Sequence, residues 1–236
     1  MLNQKTGQKL TVGLTALTLT TLLSAASSAQ TVIYDNTETL TTFRTDEANG
    51  IEYGDFAIFS GTDRTLEAFQ FDYFLTLGNS GNESALVRVY ALDGPTEQGV
   101  TLPSTLLYTS DPIEIASTRD PLGYSSRGFN PDELITLPNS VAWTVTFTGL
   151  EGTEGAGLLF ASDSNGPGAN PTFLDPQLGT QQHFTARRDA NGSWTLLNTD
   201  GVEDNLSARF TAVPEPTTWA LMLGGLAMFG LARRRK

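Results

Sequence analysis

Between residues 30 and 212 the apolar side chains tend to recur at every second position, and that period constrains the fold more than any other feature of the chain. Phe69, Phe71, Tyr73, Leu75 and Leu77 alternate with Gln70, Asp72 and Thr76, the pattern of a strand with one face buried. Residues 86–92 (LVRVYAL) and 141–147 (VAWTVTF) alternate in the same way. In that register Trp143 falls beside Val141 and Val145 and is expected in the core. Further strands are expected at 31–34, 56–59, 106–108, 134–137, 157–160, 183–188, 194–197 and 207–212, while no stretch of 10 or more residues keeps a helical period. About ten short strands separated by turns predict an all-β, antiparallel β-sandwich of the jelly-roll kind.

The turns between those strands are legible as well. Asp93-Gly94-Pro95 closes one strand, Asn79, Gly81 and Asn82 separate two others, and Asp189-Ala190-Asn191-Gly192 sits where a hairpin loop would. No internal repeat suggests a propeller or solenoid. Residues 162–182 (SDSNGPGANPTFLDPQLGTQQ) form the longest stretch without a strand pattern and are expected to be a long connection.

Composition narrows the chemistry. The chain has no cysteine and one histidine, which excludes disulfides, thiolate metal sites, a cysteine nucleophile and a multi-histidine zinc site. The lone His183, at the start of a strand candidate, reads as a rim residue. No nucleophile elbow, HExxH, P-loop or GxGxxG occurs. The net charge of −12 argues against a nucleic-acid partner. Between Gln30 and Val213 there are eight basic residues, all arginines, against 25 acids, a charge of −17 in that span. With so many acids, sequence spacing cannot single out a glycosidase pair; Asp46-Glu47 and Asp132-Glu133 read most simply as solvated turns.

Two kinds of binding site are expected as candidates. Acidic loops on an extracellular sandwich can gather oxygen ligands for calcium. Asp163 with Asn165 and Asp189 with Asn191 are equally explained as Asx turns, which leaves Asp200, Glu203 and Asp204, with Asn205, as the best calcium candidates. No other cofactor is expected. Aromatic residues among polar neighbours can stack on sugar rings, and Trp194, Tyr124 and Phe173 are the candidates for that role.

The two ends are made of different material. Residues 1–29 read as a signal peptide, with Lys5 and Lys9, an apolar run over 10–23, and small residues through Ala29. Ser27 and Ala29 suit signal peptidase, placing its cut before Gln30. At the other end residues 219–232 are uninterruptedly apolar and run into Arg233, Arg234, Arg235 and Lys236. Counted from Thr217, such a helix would be about 24 Å long against a hydrocarbon core of about 30 Å, enough for a thinned bilayer. The basic tail would hold that end in the cytoplasm.

Pro214-Glu215-Pro216 stands just before this segment, where two prolines stop any strand or helix. The order of a Pro-Glu-Pro motif, a short glycine-containing apolar helix and a terminal arginine cluster, over residues 213–236, closely resembles the PEP-CTERM sorting signal. The resemblance implies an exosortase substrate from a Gram-negative, exopolysaccharide-producing bacterium, with Pro214, Glu215 and Pro216 as recognition residues. The expected domains are therefore 1–29 (signal peptide), 30–212 (β-sandwich) and 213–236 (sorting signal). The expected life of the protein is export, a transient inner-membrane anchor, then the cell surface or extracellular matrix of a biofilm. For the β domain a structural or adhesive, non-enzymatic role is expected. A carbohydrate-binding module for exopolysaccharide is the alternative, and an extracellular glycoside hydrolase a second one.

Overall fold

The alternation that begins at Phe69 runs, as far as Thr76, in the longest strand among the described residues, 12 residues from Thr65 to Thr76. The computed structural model describes residues 30–37, 40–44, 50–76, 81–116, 125–163, 172–173, 176–180, 184–197 and 205–214. In chain order the strands are β1 (Thr31–Asp35), β2 (Leu40–Arg44), β3 (Glu52–Ile58), β4 (Thr65–Thr76), β5 (Ser84–Ala91), β6 (Thr96–Glu97), β7 (Val100–Thr101) and β8 (Leu106–Thr109). They continue with β9 (Ile113–Glu114), β10 (Ser125–Phe129), β11 (Ile135–Thr136), β12 (Ser140–Thr148), β13 (Gly155–Asp163), β14 (Thr172–Phe173), β15 (Thr185–Arg188), β16 (Trp194–Leu197) and β17 (Ala208–Val213).

These strands form two large antiparallel sheets. The first runs β1-β17-β4-β13-β14, with β10 and β11 also paired to β4 and β2 to β13. The second runs β16-β15-β3-β12-β5-β8, with β9 paired to β5, and β6-β7 make a small separate ladder. The all-β, antiparallel expectation is met.

Their facing sides share one core. Phe69, Phe71, Tyr73 and Leu75 of β4 and Phe210 of β17 meet Val141, Trp143, Val145 and Phe147 of β12 and Val87 and Val89 of β5. Phe69 sits at its centre, its ring centroid 5.3 Å from Trp143 in the opposite sheet and 4.6 Å from Phe210 in its own. Each such buried ring stabilises the fold by roughly 1.5–3 kcal/mol, so the period-2 pattern is the main driving force for this arrangement. The carboxylate of Asp55 also links the sheets. It accepts from the amides of Phe56 (2.6 Å) and Leu206 (2.8 Å).

The second sheet has apolar side chains on its outer face too. Phe56, Tyr90, Ala142, Ala186 and Leu196 pack there with Val100 and Leu102, which the β6-β7 ladder brings over them. This second cluster explains why β3 is buried along almost its whole length.

Two expectations need correction. β3 starts at Glu52, four residues before the expected strand, because Gly54 is an extended residue pressed against β12: a Cβ there would come within 1.8 Å of the Trp143 carbonyl oxygen. Residues 162–182 are not a strandless connection. β13 extends to Asp163 and pairs with β14, which contains Phe173. Further on, Leu178 bridges to Asp35 in the first sheet and Thr180 to Ile58 in the second, so this segment stitches the two sheets together. Gly179, at φ +84°, makes the stitch feasible, since a Cβ would lie 2.6 Å from the Ile58 carbonyl oxygen.

Candidate functional site

The pleat of the second sheet that turns Trp143 and Val145 inward turns Thr144 and Thr146 outward. Register then brings distant residues into one row. Thr146 stands opposite Glu52, Glu52 opposite Arg188, and Arg188 opposite Trp194, across β12, β3, β15 and β16. Arg88 and Tyr90 of β5 reach the same carboxylate.

Glu52 is the hub. Its Oε1 accepts hydrogen bonds from the Tyr90 hydroxyl (2.7 Å) and the Thr144 hydroxyl (2.7 Å). Its Oε2 faces Nη1 of Arg88 at 3.1 Å and Nη1 of Arg188 at 3.6 Å. Arg88 also donates to the Thr146 hydroxyl at 3.2 Å, and Arg188 to the Tyr90 oxygen at 3.2 Å. Burial above all, then the hydrogen bond to Glu52, holds the Tyr90 phenol well above its ordinary pKa, so it remains a donor.

Arg188 is held from below by aromatic rings. Its guanidinium lies 5.6 Å from the Trp194 centroid and 5.8 Å from that of Tyr90, and the two rings meet edge to face at 5.2 Å. Such contacts are worth about 0.5–1 kcal/mol where partly exposed. From the side, Arg188 Nε donates to the Gly192 carbonyl at 3.3 Å. Residues 189–192 form the expected hairpin loop between β15 and β16: Gly192 takes φ +87° and its amide donates to Asp189 O. Beside this loop lies an open cleft of about 370 Å³, lined by Glu52, Arg88, Thr146, Arg188, Asn191 and Gly192 among others.

A second buried carboxylate lies on the outer face of the first sheet. Asp72 accepts hydrogen bonds from the hydroxyls of Ser126 and Ser207. Burial raises its pKa, opposed by those hydroxyls and by Arg209. Arg209 itself is committed to Asp35, with Nη2 2.7 Å from Oδ2. A hollow of about 290 Å³ beside it is lined by Gln70, Ser126, Arg127, Phe129 and Arg209, with other neighbours.

The structure distributes the expected site residues unevenly. Trp194 belongs to the Glu52 cluster, where its ring supports Arg188 rather than lining the cleft. Phe173 stands opposite Ser162 in β14. Gln30 is exposed, its side-chain amide donating to Glu67 at 3.3 Å. Pro214 follows β17 directly. Ser27, Ala29, Tyr124, His183, Asp200, Glu203, Asp204, Glu215, Pro216, Arg233, Arg234, Arg235 and Lys236 lie outside the described residues, as do the signal peptide and the C-terminal apolar segment. Asp189 and Asn191 are engaged locally, Asp189 with Arg187 at 3.3 Å and Asn191 Oδ1 with the Ser193 amide. Among the described residues no group of three or more His, Asp or Glu could hold a metal ion, and no helix is long and apolar enough to cross a membrane.

Glu52, Arg88, Tyr90 and Arg188 were not singled out by sequence reasoning. Comparison with known proteins bears on the C-terminus. Residues 212–236 match the PEP-CTERM protein-sorting motif. Neither curated proteins nor solved structures gave a match to this chain. The motif supports an exported protein that passes through a membrane-anchored state and is processed by an exosortase.

Proposed function

We propose that this is a surface or extracellular-matrix protein in which a jelly-roll-like β-sandwich, residues 30–212, has a structural or adhesive role. The observation that carries the reading is where the sorting motif begins. The match starts at Ala212, inside β17, and Ala212 is the register partner of Thr31 in β1. Both processing junctions therefore leave the same sheet at the same end.

The consequence is physical. A signal-peptidase cut before Gln30 removes nothing from β1, and a cut near Pro214, Glu215 and Pro216 removes nothing from β17. β17 is flanked by β1 on one side and β4 on the other, so a tether at its end pulls on an interior strand held by two ladders. That suits a domain retained at a surface by its C-terminus. The reading assigns no turnover and no cofactor to the domain: the carboxylate in the cleft beside residues 189–192, Glu52, is bound by two hydroxyls and two guanidiniums instead of standing free as an acid or base.

The test is to express the chain in an exosortase-containing host and in the same host lacking the enzyme. The reading expects release from the inner membrane only in the first, and loss of release on replacing Pro214, Glu215 and Pro216 by alanine. Equal release in both hosts would overturn it.

A further inference from the structure

We propose that the cleft above Glu52 binds the carboxylate of an acidic, uronate-bearing saccharide. This deepens the adhesive reading by giving the domain a ligand class, and it rests on that reading.

Charge is the first argument. Across residues 30–213 there are eight arginines against 25 acids, yet two of the eight, Arg88 and Arg188, converge on one carboxylate in this cleft. Both pair with the same acid, Glu52. With Asp189 taken up by Arg187, which lies outside the cleft, the two guanidiniums that meet Glu52 exceed it by one positive charge, and one ligand carboxylate would balance them.

Unused donors are the second argument. Arg88 spends Nη1 on Glu52 and Thr146, and Arg188 spends Nη1 on Glu52 and Tyr90 and Nε on Gly192. Nε and Nη2 of Arg88 and Nη2 of Arg188 have no partner among the described residues, although both arginines line the cleft. A planar fork of N–H donors matches a carboxylate, and Glu52 takes only Nη1 of each arginine. Unlike flexible surface arginines, Arg188 is fixed by Trp194 and Tyr90 beneath it and Gly192 beside it. Little ordering is therefore left to be done on binding.

The rest of the wall suits a polyhydroxylated ligand. The Thr146 hydroxyl, the Asn191 amide and the backbone of Gly192 surround the arginines, and the volume of about 370 Å³ lies within the range of small-ligand sites. Trp194 acts as a positioning residue through Arg188.

The experiment is calorimetric titration of the full chain, purified in detergent, with a galacturonic-acid oligomer, a neutral galactose oligomer of equal length, and inorganic phosphate. Binding is read whether or not the tail has been processed, so a failure here is distinct from a failure of sorting. The proposal expects the acidic oligomer to bind at least about tenfold more tightly than the neutral one and to weaken as salt rises. It also expects Arg88→Lys, which keeps the charge and loses the fork, to weaken binding about tenfold with the thermal melt unchanged. Absence of binding by the folded protein, equal affinity for both oligomers, competition by phosphate at equal concentration, or an unaltered affinity in Arg88→Lys would each overturn it.

Discussion

Glu52 and Asp72 are carboxylates on the outer faces of the two sheets, both almost removed from water, and they are satisfied in different currencies. Glu52 meets two guanidiniums and two hydroxyls. Asp72 meets two serine hydroxyls, and burial raises its pKa. The difference lies in what each arrangement leaves over. The arginines around Glu52 extend past it into an open cleft with donors to spare, whereas Arg209 near Asp72 is taken up by Asp35 and Thr37. One site is built to meet a further anion and the other responds to protons.

The sharpest way to break this contrast is through the glycines beneath the two sites. A Cβ on Gly54 would fall 1.8 Å from the Trp143 carbonyl oxygen, and one on Gly128, in the strand carrying Ser126, 2.6 Å from the Phe69 carbonyl oxygen. Gly54→Ala should cost at least about 3 kcal/mol in denaturant unfolding and Gly128→Ala about half that; equal losses would mean the second sheet is no more tightly built than the first. Next in size is Glu52→Ala, which takes the shared carboxylate from two hydroxyls and two guanidiniums. Breaking a buried pair costs about 3–5 kcal/mol, but Arg88 and Arg188 are 26% and 36% exposed, so about 2 kcal/mol is expected.

Asp72→Asn sharpens the comparison through pH. Because the folded state raises the Asp72 pKa, it binds that proton more tightly than the unfolded chain does. The contribution of Asp72 to stability is therefore full below the ordinary aspartate value of about 3.9 and is lost as pH rises through the folded value. Melting temperatures of wild type relative to Asp72→Asn should fall as pH increases from about 3 to 7; a relative rise would reverse the assignment. The smallest effect belongs to Trp194→Ala, about 1 kcal/mol from the lost ring contacts with Arg188 and Tyr90, read by the same melts. A loss as large as that of Glu52→Ala would make Trp194 a core residue instead of a support.

Much of this architecture was legible in the alternation. β4, β5 and β12 stand where Phe69, Val87 and Trp143 predicted, since each buries one face in the shared core. β10 (SSRGF) was not, because its small and polar residues are ordered by pairing with β4 and carry little apolar signal of their own. The start of β3 was hidden by Gly54, which reads as a turn residue in sequence and serves as a point of close approach between strands. The candidate site suffered from that miss, since Glu52 was left outside any strand. A clue was present in Arg88 between Val87 and Val89 and in Thr144 between Trp143 and Val145, a polar outer stripe. Only register, though, brings residues 52, 88, 146 and 188 to one spot. Of the sugar-binding candidates, Trp194 lies under Arg188 and does not line the cleft.

In the proposed life of this protein, the working molecule is the sheeted unit left after both ends are removed. Intact-mass measurement of the protein recovered outside the cell tests it most directly. The expected chain begins at Gln30 and ends near Pro214, Glu215 and Pro216, with β1 and β17 whole. An extracellular chain that still carries Arg233, Arg234, Arg235 and Lys236 would contradict it.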